Sequence, residues 1–145
     1  MGRLSVGQAG WVRQVAAKMP FYQFMGIRLT NVGWGRSEIR MRVSGEVTQL
    51  SGFAHGGVAA SLVDSAVGLA LCTIIDQGTA ITTIDLQVNF LAPAKPGSLT
   101  AQGRIVHKGK RTAVGDCQVR DGSGRLVSRG TATYLILENR KRFQS

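Results

Sequence analysis

Apolar and polar positions change their period along this chain, and the changes mark its elements. Gln8–Met19 carries a short amphipathic helical pattern that Pro20 should stop. Arg36–Val43 then alternates, with Ser37, Ile39, Met41 and Val43 against Arg36, Glu38, Arg40 and Arg42. That is the period of a strand with one wet face. Ile27–Val32 is its candidate neighbour across the Gly33-Trp34-Gly35 turn. A loop of small residues, Ser44–Ala54, leads to Val58–Ile75, which is apolar on every side and too long for an ordinary strand. Its alanines and leucines predict a helix, and a helix without a polar face is buried nearly all round. Ile81–Leu91 alternates again, with Ile84, Leu86, Val88 and Phe90 against Asp85, Gln87 and Asn89, until Pro93-Ala94-Lys95-Pro96-Gly97 breaks it. Ser98–Lys108, Arg111–Arg120 and Leu126–Leu137 follow as strands, divided by Gly109 and by Asp121-Gly122-Ser123-Gly124. A helix, two strands, a buried helix and four strands predict an α+β fold, an antiparallel β-sheet wrapped around a long central α-helix.

Composition narrows the class. The 145 residues have 43% hydrophobic and 18% charged side chains and a mean hydropathy of +0.04. These values exclude a disordered chain, a collagen-like repeat and a disulfide miniprotein. Cys72 and Cys117 read as buried thiols of a reducing compartment, although one disulfide also fits. The net charge of +10 is uneven. Residues 1–50 hold seven basic and two acidic side chains and residues 101–145 ten and three, whereas residues 51–100 hold only Lys95 against Asp64, Asp76 and Asp85. Basic flanks suit any polyanion, nucleic acid included. Arg13 and Lys18 fall where a signal peptide needs its apolar run, so a cytoplasmic protein is expected. Val58–Ile75 is long enough to suggest a membrane span, but Asp64 at its middle argues against one.

The chain has no Walker loop, GxGxxG, GxSxG or metal-spaced His/Cys cluster. What stands out is Gln49-Leu50-Ser51-Gly52-Phe53-Ala54-His55-Gly56-Gly57, followed by the apolar helix that carries Asp64. Gly56-Gly57 falls where that helix should begin. The free N–H groups and dipole of a helix start favour an anion or the oxyanion of a carbonyl under attack, and glycine lets a ligand come close. The same dipeptide also suits a tight loop-to-helix joint. Asp64, the one charge among eighteen apolar positions, is either a hydrogen-bonded structural carboxylate or one placed for chemistry. Gly57 and Asp64 lie seven residues apart, ~10.5 Å along a helix, too far to serve one carbonyl. If both are catalytic, the site lies between two antiparallel copies of the helix in a symmetric dimer.

Gly52-x-x-His55-Gly56-Gly57, Asp64 nine residues after the histidine, and Thr83-Ile84-Asp85-Leu86-Gln87-Val88-Asn89-Phe90-Leu91-x-Pro93-Ala94 resemble the hot-dog-fold acyl-CoA thioesterases. The group of closest likeness is the phenylacetic-acid-degradation type, related to the hydroxybenzoyl-CoA thioesterases. The resemblance spans roughly Gly26–Leu137. It implies a homodimer with shared sites, often a homotetramer, and an acyl-CoA substrate with no metal or other cofactor. It further implies that the Gly57 N–H polarises the thioester carbonyl and that Asp64 of the other subunit is the base or the nucleophile. His55 would hold the loop, and Thr83 would help place the attacking water. Gln49 stands where many relatives have Asn, keeping an amide that can orient water. Coenzyme A would contact Gly56, the strand at Asn89 and Phe90, and the cations Lys95, Lys108, Lys110 and Arg111, whose guanidinium and ammonium groups suit phosphate.

The expected organisation is an N-terminal helical segment over 1–25, the hot-dog domain over 26–137 and a basic tail over 138–145. Two rivals remain. An enoyl-CoA hydratase of the same fold would need a second acid–base residue beside Asp64, and no pair at suitable spacing is present. A non-catalytic dimer binding acyl-CoA or nucleic acid would leave the acid in the core helix unexplained. Nucleic-acid binding would also fall steeply with salt.

Overall fold

The apolar helix is the axis of the molecule, and its sequence explains why. In the computed structural model, which describes residues 2–137, the elements run α1 (Val6–Lys18), α2 (Pro20–Met25), β1 (Arg28–Gly33), β2 (Arg36–Val43), a single 3-10 turn (Gly45–Val47), α3 (Gly56–Cys72), β3 (Ala80–Phe90), β4 (Gly97–Lys108), β5 (Thr112–Asp121) and β6 (Leu126–Leu137). The basic tail expected over 138–145 lies outside the described residues. Six antiparallel strands in the order β1-β2-β4-β5-β6-β3 curl around α3. Leu62, Val63, Ala66, Val67, Leu69 and Leu71 are all within 1% of complete burial. At about 1.5–3 kcal/mol for each large aliphatic side chain, that stripe is the main source of cohesion. Among the described residues no helix is long and apolar enough to cross a membrane.

The predicted helix over Val58–Ile75 is shifted towards its N-terminus. It begins at Gly56 because His55 caps it, and it ends at Cys72 because the buried Thr73 hydroxyl turns back to the Ala70 carbonyl at 2.7 Å. Gln8 of α1 donates its side-chain amide to the carbonyls of Cys72 and Ile75 at 2.7 and 2.8 Å, satisfying acceptors that a helix end leaves open. Pro20 does end the first helix, but it also opens α2 at a position where its missing N–H costs nothing. Val12, Ala16 and Tyr22 of this N-terminal part belong to the same core as α3. Cys72 and Cys117 are buried free thiols, pushed up by burial to about 11 and about 12, and so are inert at neutral pH.

The sheet meets α3 at glycines. Cβ atoms built on Gly103 and Gly130 would lie 2.6 Å from the Ala66 backbone and 3.0 Å from Val63 Cγ1. Beside that seat, Ser37 donates to the Ala66 carbonyl at 2.6 Å. β3 departs from the simple alternation its sequence suggests. Its pairing with β6 slips between Thr83 and Asp85. Thr83 reaches Asp64 on α3, while Phe90 lies against Gly56 at the start of α3. Seven residues apart, these two would face opposite sides of a regular strand; the one-residue bulge sets both on the side of α3. β3 is also an edge strand, and Ile84 and Phe90 are 55% and 60% exposed.

Candidate active site

The start of α3 is built by its capping residue. His55 has extended backbone angles, and its Nδ1 accepts the Gly57 N–H at 2.9 Å. The Val58 N–H is taken by the His55 carbonyl at 2.9 Å. This corrects one expectation. The Gly57 N–H does not point at a free carbonyl site, because an N-cap side chain folds back onto the second or third N–H of its helix. Among the first N–H groups of α3, that of Gly56 has no acceptor among the described residues. His55 is therefore the residue that organises the loop.

A cleft of about 360 Å³ opens at this helix start, lined by Gln49, Phe53, His55, Gly56, Phe90 and Pro93 among others. Gln49 is exposed, and its side-chain oxygen accepts from the Ser51 N–H. The amide is thus engaged with its own turn while standing beside the free donor. Aromatic rings and a proline wall the cleft on the apolar side.

Asp64 lies two turns further along α3, half-buried. Its Oδ1 accepts two hydroxyls at 2.7 Å, one from Thr83 on β3 and one from Tyr134 on β6. Tyr134 also reaches the Asp64 backbone carbonyl at 2.6 Å. Burial, and then the neighbouring Asp64 carboxylate, push the Tyr134 hydroxyl well above the ordinary tyrosine range, so it stays protonated and donates. Oδ2 has no partner among the described residues. Thr83 was one of the residues expected at the site. Tyr134 was not: seventy residues separate it from Asp64, and only the register Thr83↔Tyr134 between β3 and β6 brings the three together.

One chain gathers these residues into two places. Gln49, His55, Gly56, Gly57 and Phe90 stand at the start of α3, while Asp64 and Thr83 stand at its middle, eight residues or ~12 Å along the axis from Gly56. Asn89 is exposed on β3 opposite Arg129, and Lys95 is exposed in the loop after it. Lys108, Lys110 and Arg111 are exposed in the β4–β5 hairpin. That hairpin lies beside Ile136, which pairs with Ile81 at the far end of β3, nine residues or ~30 Å of strand from Phe90. Within one chain the hairpin cations and the Gly56 cleft are therefore at opposite ends. His107 is exposed near the end of β4.

Comparison with known proteins bears on the family and the fold. Residues 51–128 match the thioesterase superfamily. The 1,4-dihydroxy-2-naphthoyl-CoA hydrolase of Listeria monocytogenes is 26% identical over 123 residues, covering 85% of this chain and all of that protein. A thioesterase family protein from Silicibacter pomeroyi has a crystal structure that superposes with a TM-score of 0.85 at 30% identity, over 90% of this chain and 98% of that one. The E. coli PaaI protein from the phenylacetic acid degradation operon shares the fold, with a TM-score of 0.86 at 23% identity over 94% of this chain and 97% of that one. With the helix-wrapping sheet and the capped HGG turn already in place, these matches settle the family: the chain belongs to the thioesterase superfamily, with the hot-dog fold, and is a thioester hydrolase.

Proposed function

We propose that the protein hydrolyses an acyl-CoA thioester to the free acid and coenzyme A, in active sites shared between two copies of the chain. The observation that carries this is Asp64: a lone half-buried acid with Oδ1 held by two hydroxyls and Oδ2 open. Water attacks the carbonyl carbon while Asp64 takes its proton. The C–S bond then breaks, the thiolate leaves and takes up a proton from solvent, and Asp64 gives its own proton back to solvent. The Gly56 N–H of the other copy receives the developing oxyanion, a contribution that elsewhere is worth about 2.7–4 kcal/mol. His55 keeps the helix start in shape, and the Gln49 amide stands where it can orient water. Hydrolysis in ¹⁸O-water under single turnover should leave the enzyme carboxyl unlabelled; label there would show direct attack by Asp64 instead.

The distance between Gly56 and Asp64 supports two copies, and β3 supports their pairing. It is an eleven-residue edge strand with Ile84, Leu86 and Phe90 exposed, the kind of edge that recruits another strand. Antiparallel pairing of β3 with its twin would set the Phe90 end of each chain beside the Ala80 end of the other. The hairpin carrying Lys108, Lys110 and Arg111 would then approach the partner's cleft, where coenzyme A phosphates need cations. Ile84→Lys should leave a folded chain by circular dichroism, run as a monomer in analytical ultracentrifugation at micromolar concentration, and lose activity in parallel. A fully dimeric Ile84→Lys protein would place the interface elsewhere.

The substrate class follows from the same cleft. Its apolar walls and the Listeria relative's named substrate favour an aromatic acyl group, with a medium-chain acyl group as the next choice. Thiol release from short-chain, medium-chain, long-chain and aromatic acyl-CoAs tests both the reaction and the class. Turnover of the aromatic thioesters is the expected result, and no turnover of any thioester by the folded dimer would overturn the function.

A further inference from the structure

Tyr134 is a large investment of polarity in the core. It is 6% exposed, yet its single hydroxyl proton is offered to two oxygens of one residue, the carbonyl and Oδ1 of Asp64. The carboxylate oxygen is the stronger acceptor of the two. Thr83, its register partner across β3 and β6, donates to the same Oδ1. Two hydroxyls from two strands thus converge on one oxygen of a helical side chain, and the other oxygen is left open.

The helix is shaped to allow this. Gly68 lies four residues after Asp64, on the same face of α3. A Cβ there would stand 2.7 Å from the Tyr134 hydroxyl oxygen and 3.1 Å from Cζ. Glycine in a helix interior is less favourable than alanine, so in the middle of the most buried helix it needs a reason. The reach of Tyr134 to Asp64 is that reason.

We propose that Tyr134 is a positioning residue of the active site: with Thr83 it pins Oδ1 of Asp64 so that Oδ2 faces the reacting water, and Gly68 keeps the space through which the hydroxyl reaches. This rests on Asp64 being the base. A tyrosine that only fastened β6 to α3 would affect stability alone.

Tyr134→Phe removes one oxygen and keeps the ring in place. With the aromatic acyl-CoA that wild type turns over best, kcat should fall about ten- to a hundredfold, the scale of a hydrogen bond to a charged group, while KM stays within about twofold. Gly68→Ala should lower kcat in the same direction with the Tyr134 side chain intact. The carboxyl ¹³C resonance of Asp64, identified by its absence in Asp64→Asn, should move in both variants, and this readout needs no turnover. If Tyr134→Phe keeps wild-type kcat per folded molecule while Asp64→Asn is inactive, the positioning role is wrong and the hydrolytic reading stands. If wild type cleaves no thioester, the hydrolytic reading fails, and the resonance decides: an unmoved Asp64 signal in Tyr134→Phe overturns the pinning as well.

Discussion

Asp64→Asn should lower kcat for acyl-CoA hydrolysis by about 10²–10⁴-fold, the contribution expected of a positioned general base. The substitution is close to isosteric. An amide oxygen can still accept from Thr83 and Tyr134, each now 2.7 Å from Oδ1, so the hydroxyl cluster and the fold should persist. What disappears is the oxygen that takes a proton from water. KM should change little, because coenzyme A is expected to be gripped at the cleft and by the hairpin cations rather than by the acid. The measurement is thiol release at saturating substrate, beside a thermal melt to show that the variant is folded. A kcat within a fewfold of wild type would remove Asp64 from the chemistry and move the general base to another residue.

The parts of this site differ in how far they could be read from the chain. A carboxylate isolated in eighteen apolar positions is a local signal, and so is a pair of glycines before a helix. The element order was legible for the same reason, since β2 and β6 follow hydrophobic patterns confined to a few consecutive residues. Choosing between Gly56 and Gly57 was a different matter. It depends on where the His55 ring folds, a question of one side-chain torsion and one 2.9 Å contact, and both glycines carry the same sequence signal. β3 shows another limit. Its alternation identifies a strand but does not reveal the bulge after Thr83, which decides that Thr83 and Phe90 face the same way. Tyr134 illustrates the third. It sits in Leu126–Leu137 like any other strand aromatic, and its chemistry comes from register with a strand fifty residues earlier.

The glycine seat gives the largest expected change in stability. A Cβ on Gly103 would lie 2.6 Å from both the carbonyl carbon and oxygen of Ala66 and 2.9 Å from the nitrogen of Val67. These are backbone atoms in the middle of α3 and cannot swing aside as a side-chain end can. Gly103→Ala must therefore separate β4 from the helix, at a cost of about 1–3 kcal/mol typical of overpacking, and Gly103→Val should cost more. For a chain of this size that corresponds to a melting temperature lower by roughly 2–12 °C for alanine. Ser37, which donates to the same Ala66 carbonyl at 2.6 Å, would lose part of that bond as the helix moves out. Ala66 is two residues from Asp64, so the displacement should reach the base and lower kcat as well. Gly45→Ala is the control, since a Cβ there meets nothing within 4 Å and should shift stability by less than about 0.5 kcal/mol. Should Gly103→Ala melt with the control, the helix does not rest on the β4 backbone as closely as its glycine implies. A lowered melting point with kcat unchanged would separate the two effects, making the seat a determinant of stability that leaves Asp64 in place.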